Sequence, residues 1–322
     1  MIMLTTFRRS RFVVIGLLAA FTLAACGGSS SPRQAGARSP SGGDASSGFP
    51  VTVHSAEGPV VVRSRPTAIV SLSPTATEMA YAIGAGSQVK AVDKYSDYPP
   101  GTPQTKLSSS NLNVESVIAL KPDLVVVGDV QGGLKQRLAA LSIPVLVLPA
   151  AQKLDDVYTQ MSELGQATGH IPQATSRERS IRTRLQRIVA SVPHRGTPAT
   201  YYYELTPDYY SVTSDTFIGH LFALLGMKSI ADSAAGAAKS GGYPQLSAEY
   251  VVKADPGFIF LADTVCCRQS VTTIAGRPGW STMRAVRLHH IVPLNDDIAS
   301  RWGPRIVVLL QQAANALTGR SS

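Results

Sequence analysis

Three cysteines, two tryptophans and 16% charged residues are little for a 322-residue chain, and each scarcity removes a class of function. Three cysteines cannot build the framework of a disulfide-rich secreted scaffold. Two of them, Cys266 and Cys267, are neighbours, and adjacent thiols with no nearby third ligand make a poor zinc site. The six histidines are scattered, and His289-His290 is the one close pair. Neighbours in an extended segment point to opposite faces, so that pair does not chelate, and no metal ion is expected. The sequence lacks GxxxxGK[ST], HExxH and GxSxG, the signatures of phosphate-binding loops, zinc proteases and serine hydrolases. Gly84-Ala85-Gly86 follows a helical pattern and has no third glycine, so it reads as a helix stop rather than a dinucleotide fingerprint. Nor is there a basic stripe interleaved with aromatics, which argues against nucleic acid. No enzyme chemistry and no resident cofactor are expected.

A 44% hydrophobic composition over this length is ample for a two-lobed body. Residues 1–25 stand outside it. Arg8, Arg9 and Arg11 precede an apolar run, Phe12 to Thr22, which ends in Leu23-Ala24-Ala25-Cys26. That order is a signal peptide, and the run is short for a membrane span, which needs about 20 apolar residues. Leu-Ala-Ala-Cys resembles a bacterial lipobox, which implies Cys26 as the lipidated first residue of an exported, membrane-anchored protein. Removing residues 1–25 lowers the formal charge from +9 to +6. Residues 26–49 are rich in Gly, Ser and Pro and read as a disordered tether. Free thiols are a liability outside the cytoplasm, so Cys266 and Cys267 suit a vicinal disulfide, with two free thiols or soft-metal ligands as alternatives.

Residues 50–170 are expected to form a first α/β lobe. Val51–Val53 and Pro59–Val62 read as a hairpin. Runs at 68–72, 89–92, 124–128 and 145–148 read as buried parallel strands, separated by helical patterns. In the first of these units, Thr75 and Thr77 offer hydroxyls to cap the helix that follows. Residues 171–193 hold one helical periodicity, with Pro172 in the first turn and Pro193 past the end. At 1.5 Å per residue this helix spans on the order of 30 Å, a lobe-to-lobe distance. Its arginines, 177, 179, 182, 184 and 187, are spaced as a solvated face, serving solubility or attraction to an anionic envelope. Residues 194–322 repeat the alternation as a second α/β lobe, with strands at 200–203, 258–261 and 291–294.

The stretch AIVSLSPTATEMAYAIGAGSQVKAVDKYSD, residues 68–97, organises the rest. Strand, helix and strand make a parallel unit, and ligands bind beyond the carboxyl ends of such strands. SLSPTATEMAYAIGA followed by YSDYPP closely resembles the substrate-binding proteins of ABC importers for vitamin B12, ferric siderophores and haem, the B12-binding branch most of all. NVESVIALKPDLVVV, GGYPQLSAEYVVKADPGFIFL and NDDIASRWGPRIVVLL extend the resemblance over roughly residues 60–320. It implies two α/β lobes braced by a single long helix. It also implies an extracytoplasmic monomer that delivers cobalamin or a related corrinoid to an ABC permease and its ATPase. A ferric siderophore or haem is the alternative cargo, and a non-transport envelope interaction protein the alternative of another class.

The resemblance further implies site residues. Tyr95 of YSDYPP, Tyr243 before PQ, and Asp297 and Arg301 of DDIASRWGPR match ligand contacts. Tyr98, Tyr209, Trp280 and Trp302, also at predicted strand ends or loops, complete an aromatic set suited to a large planar ligand. The branch carries a tryptophan where this chain has Ser108-Ser109-Ser110-Asn111, a missing stacking platform that Trp302 can replace. Glu78, placed on an exposed helix face of one lobe, and Glu249, early in a helix of the other, match the carboxylates that dock on permease arginines. Two separated charge contacts fix orientation and speed encounter.

Overall fold

The structure, a computed structural model, describes residues 48–130 and 133–320. The signal sequence, the tether up to residue 47 and Cys26 lie outside the described residues. A hairpin, β1 (Val51–Ser55) with β2 (Gly58–Val62), opens the described chain. It is followed by β3 (Ile69–Leu72), α1 (Pro74–Ala82), β4 (Val89–Val92), α2 (Val114–Ala119), β5 (Leu124–Val127), α3 (Leu134–Ala140), β6 (Val145–Val147) and α4 (Leu154–Thr168). The four strands form one parallel sheet in the order β4-β3-β5-β6. β3 and β5 are buried along their whole length, which is why their sequences are unbroken apolar runs rather than alternating ones. Asp123 fixes the entry to β3, accepting hydrogen bonds from the Thr67 and Ala68 amides and the Thr67 hydroxyl. Ser73, not Thr75 or Thr77, caps α1, its Oγ accepting from the Ala76 amide. Serine directly before Pro74 leaves the hydroxyl at the true boundary.

α5 runs unbroken from Ile171 to Ala190. It packs closely on α4, for a Cβ on Gly165 would stand 2.6 Å from the Ala174 Cβ. Only glycine permits that approach. Beyond it come β7 (Ala199–Glu204), α6 (Phe217–Ala223), β8 (Met227–Ser229), α7 (Ala248–Ala254), β9 (Phe258–Leu261), α8 (Val271–Ala275), α9 (Arg284–Arg287), β10 (Ile291–Pro293), α10 (Asp296–Ser300) and α11 (Ile306–Thr318). The second sheet is parallel, in the order β10-β9-β7-β8. Counted from each lobe's own first strand, both sheets read 2-1-3-4. Their switch points therefore lie between β3 and β5 and between β7 and β9, and a ligand crevice opens beyond the strand ends at such points. Tyr201, Tyr202 and Tyr203 of β7 are all fully buried, since a central parallel strand is covered on both faces. One apolar cluster runs from β3 and α4 through Ile181, Leu185 and Ile188 of α5 to α11 and β7. The helix thus shares its core face with both lobes.

Candidate functional site

Beyond β4 the chain turns through Asp93–Tyr98, and the turn is pinned from below. Thr77 Oγ1 of α1 lies 2.9 Å from Ser71 Oγ, 3.0 Å from Ser96 Oγ and 3.0 Å from the Ser73 carbonyl. The hydroxyl expected at a cap instead ties the strand, the helix and the loop together. Asp93 is fully buried, and burial pushes its carboxyl above the ordinary range. With its base held, the loop presents its rings outward: Tyr95 is 51% exposed and Tyr98 41%. Lys94 Nζ lies over the Tyr95 ring at 4.7 Å.

In the second lobe β7 ends on an acid, and acids follow β9 and β10 within three residues. Glu204 is wholly buried and accepts a bidentate pair of bonds from Arg277 (2.6 and 2.7 Å), with the Tyr202 hydroxyl donating at 3.1 Å. Asp263, also fully buried, is pushed up to about 7 by burial and then by the neighbouring Glu204 charge. Asp296 accepts from the backbone amides of Val265 (2.9 Å) and Cys266 (2.7 Å), so it holds the loop after β9 in place. In that loop Cys266 and Cys267 are joined as a vicinal disulfide, and Val265 beside them is 66% exposed. Tyr210 and Tyr243 are exposed, while Tyr209 is half-buried with φ of +67°. The Tyr203 hydroxyl donates to the Ala299 carbonyl at 2.8 Å. Burial, then Tyr201, Asp296 and Tyr243, hold that hydroxyl well above its usual value, and a bridge between Tyr210 and Gln245 ties the Tyr243 loop to the segment after β7.

Trp280 is corrected. It is 0% exposed, packed edge-on to Tyr202 and against Tyr209, with Arg277 over its face at 4.6 Å. The short turn holding it folds inward, so the ring supports Tyr209 from behind instead of meeting a ligand.

Glu78 is the larger correction. Expected on an exposed face, it is 3% exposed and lies between the lobes. Arg301 Nη1 donates to its Oε1 at 3.0 Å, and Arg305 donates Nε to Oε2 at 2.9 Å and Nη2 to Oε1 at 2.5 Å. Gly303 makes room, since a Cβ there would meet Glu78 Oε2 at 3.1 Å. Arg301 also donates to Asp97 Oδ1 at 3.1 Å, to the Tyr95 carbonyl at 3.0 Å and to Asp297. Burial raises the Asp297 carboxyl, opposed by Arg301 and assisted by Asp97. Trp302 is half-buried and donates Nε1 to Gln160 Oε1 of α4 at 3.0 Å. Arg305 covers the Tyr98 ring at 4.1 Å. Arg301, Trp302 and Arg305 of the second lobe therefore grip the first. Glu249, by contrast, is exposed in the first turn of α7, its carboxyl lowered by its own amide and by Ser247.

Arg301 thus brings Tyr95, Asp97 and Asp297 together, whereas the two glutamates are unlike in exposure. Arg305, Glu204, Asp263 and Arg277 went unread in the sequence. Glu204 and Asp263 sit at or just after the ends of apolar runs, and an acid closing a buried strand was the available signal. Among the described residues no three His, Cys, Asp or Glu side chains gather as a metal-binding group, and no helix is long and apolar enough to cross a membrane.

Residues 69–298 match the model of a family described as periplasmic binding protein. The chain is 30% identical over 311 residues to an uncharacterized ABC transporter substrate-binding lipoprotein of Bacillus subtilis, covering 94% of each. It is 32% identical over 268 residues to a vitamin B12-binding protein of Pectobacterium carotovorum, covering 80% of this chain and 90% of the relative. Among solved structures, a possible iron-binding, periplasmic solute-binding protein of Staphylococcus epidermidis superposes with a TM-score of 0.66 at 27% identity. That match covers 78% of this chain and 98% of the other.

Proposed function

Starting from a chain that belongs to the periplasmic binding protein family, and so is a non-enzymatic substrate-binding component of an ABC transporter, we propose that its cargo is a corrinoid, cobalamin foremost. The observation that carries this reading is the meeting at Arg301 of Tyr95 and Asp97 from one lobe with Asp297 from the other. Tyr95 and Tyr98 of that loop are exposed, as are Tyr210 and Tyr243 of the second lobe. Rings with a few hydrogen-bonding groups suit a broad, mostly apolar disc edged with amides. The vitamin B12-binding relative lends the same direction.

In this reading the cargo parts the lobes, drawing Arg305 off Glu78 and taking the Arg301 donors that Glu78 and Asp97 hold. Tyr95, Tyr98, Tyr209, Tyr243 and Trp302 then close on the disc. Glu78, once released, joins Glu249 as the pair of acids offered to permease arginines. Cys26 carries the lipid that keeps the monomer at the membrane, and no resident cofactor takes part.

Calorimetric titration with cyanocobalamin tests the cargo, and tight one-to-one binding is expected. Silence at micromolar protein, with a ferric siderophore or haem binding in its place, overturns the corrinoid assignment while leaving the transport role standing.

A further inference from the structure

We propose that the groove between α5 and α11 seats anionic phospholipid headgroups of the membrane that carries the protein. Two adjoining hollows of ≈ 560 and ≈ 330 Å³ share Arg184, Val307 and Val308 and so form one channel along both helices. Arg177, Arg184 and Arg187 stand at i, i+7 and i+10 on α5 and edge it, and Arg320 closes the far end. Ile188, Val307 and Val308 make an apolar floor. The acid in the lining, Glu78, is already bound by two arginines. α5 holds five arginines and one glutamate, a net +4, against +6 for the whole chain after residue 25. Most of the protein's positive excess is therefore on one helix.

Charge decides among occupants. The tether, with Arg33, Arg38 and Asp44, is itself positive and is repelled. A second copy would set arginines against arginines. A lipid surface is anionic, and its headgroups match guanidinium forks. Position agrees: Phe49, where the tether joins the body, packs at the start of α5, 3.2 Å from where a Gly169 Cβ would stand. The 22 residues from Cys26 to Ser47 reach at most about 75 Å when extended. The inference rests on the lipid-anchor reading, and it gives the tethered protein a resting orientation.

The test uses the full chain on vesicles of phosphatidylcholine alone or mixed with phosphatidylglycerol, with arginine modification by phenylglyoxal read by mass spectrometry. On mixed vesicles Arg177, Arg184 and Arg187 should be protected about tenfold or more, Arg63 unchanged, and the protection lost in about 0.5 M salt. The triple variant Arg177→Gln, Arg184→Gln, Arg187→Gln should lose its preference for anionic over neutral vesicles by on the order of a hundredfold. Equal modification on both vesicles, retained preference in the triple variant, or equal protection by inorganic phosphate or an acidic peptide overturns the proposal. Partition onto phosphatidylcholine reads the anchor separately, so failure there refutes the lipid at Cys26 and leaves the groove to be scored by the phosphatidylglycerol arm.

Discussion

Glu78→Gln keeps the side chain's shape and removes its charge, which makes it the sharpest probe of the contact between the lobes. The carboxylate is 3% exposed and accepts three charge-assisted bonds from Arg301 and Arg305. Breaking a buried ion pair from one side costs about 3–5 kcal/mol, because the partner charges stay behind. Here they are partly provided for. Arg301 keeps Asp97, Asp297 and the Tyr95 carbonyl, and Arg305 keeps the Tyr98 ring. The expected loss is therefore at the low end, about 3 kcal/mol, measured by urea unfolding of the ligand-free protein. Arg305→Gln should cost a similar amount, and the double variant less than the sum, with a coupling of about 1–3 kcal/mol. Small-angle scattering should show the Glu78→Gln protein more open than the parent. Single losses that add to within about 0.5 kcal/mol, with unchanged scattering, would refute the argument that this carboxylate holds the lobes together.

Glu249→Lys should lower uptake about tenfold through slower docking while cyanocobalamin affinity, read by calorimetry, stays put. Glu78→Lys should disturb both, because it also breaks the interlobe contact. Tyr95→Ala and Tyr243→Ala should each weaken cyanocobalamin binding by about 0.5–1.5 kcal/mol, roughly two- to twelvefold. Asp263 has its folded pKa raised from the ordinary 3.8 to about 7, so the folded state binds the extra proton between those values. Its stabilising effect is then full below pH 3.8 and is lost as pH rises through 7. Asp263→Asn should flatten the fall in urea midpoint across that window, and an unchanged slope would assign the pH response elsewhere. Arg277→Met should cost about 3–5 kcal/mol by leaving Glu204 buried and unpaired, with Glu204→Gln on the same background recovering much of it.

The buried strands were legible because burial on both faces leaves an unbroken apolar run, as in Leu124–Val127 and Phe258–Leu261. The long helix was legible because its period lasts and prolines bound it. β8, three residues long with an exposed lysine in the middle, carries too short a pattern to register. α8 and α9, of five and four residues, were missed for the same reason. Glu78 was misread for another. Its partners are 223 and 227 residues away, and a helical acid with no apolar neighbour requirement looks solvated until the other lobe arrives. Trp280 followed a Gly-Arg-Pro-Gly turn that suggested a loop at the surface, yet an indole that large is most stable where Tyr202 and Met283 close over it. Residues at the cleft were thus readable by position and family likeness, while their pairing belongs to tertiary contacts that no local pattern encodes.

The bare backbone at Gly165, set against Ala174, leaves α4 and α5 no clearance to slide. Rod and first lobe then travel as one body, and widening of the cleft is a swing of the second lobe that carries α11 across the apolar face it shares with α5. The pivot falls in residues 191–198, where Pro193, Gly196 and Pro198 interrupt regular structure before β7 begins. Empty and laden receptors would accordingly keep the same first-lobe backbone and differ in the tilt of its counterpart, and with it in whether Glu78 is uncovered, a one-jawed vice in which cargo is reported by angle.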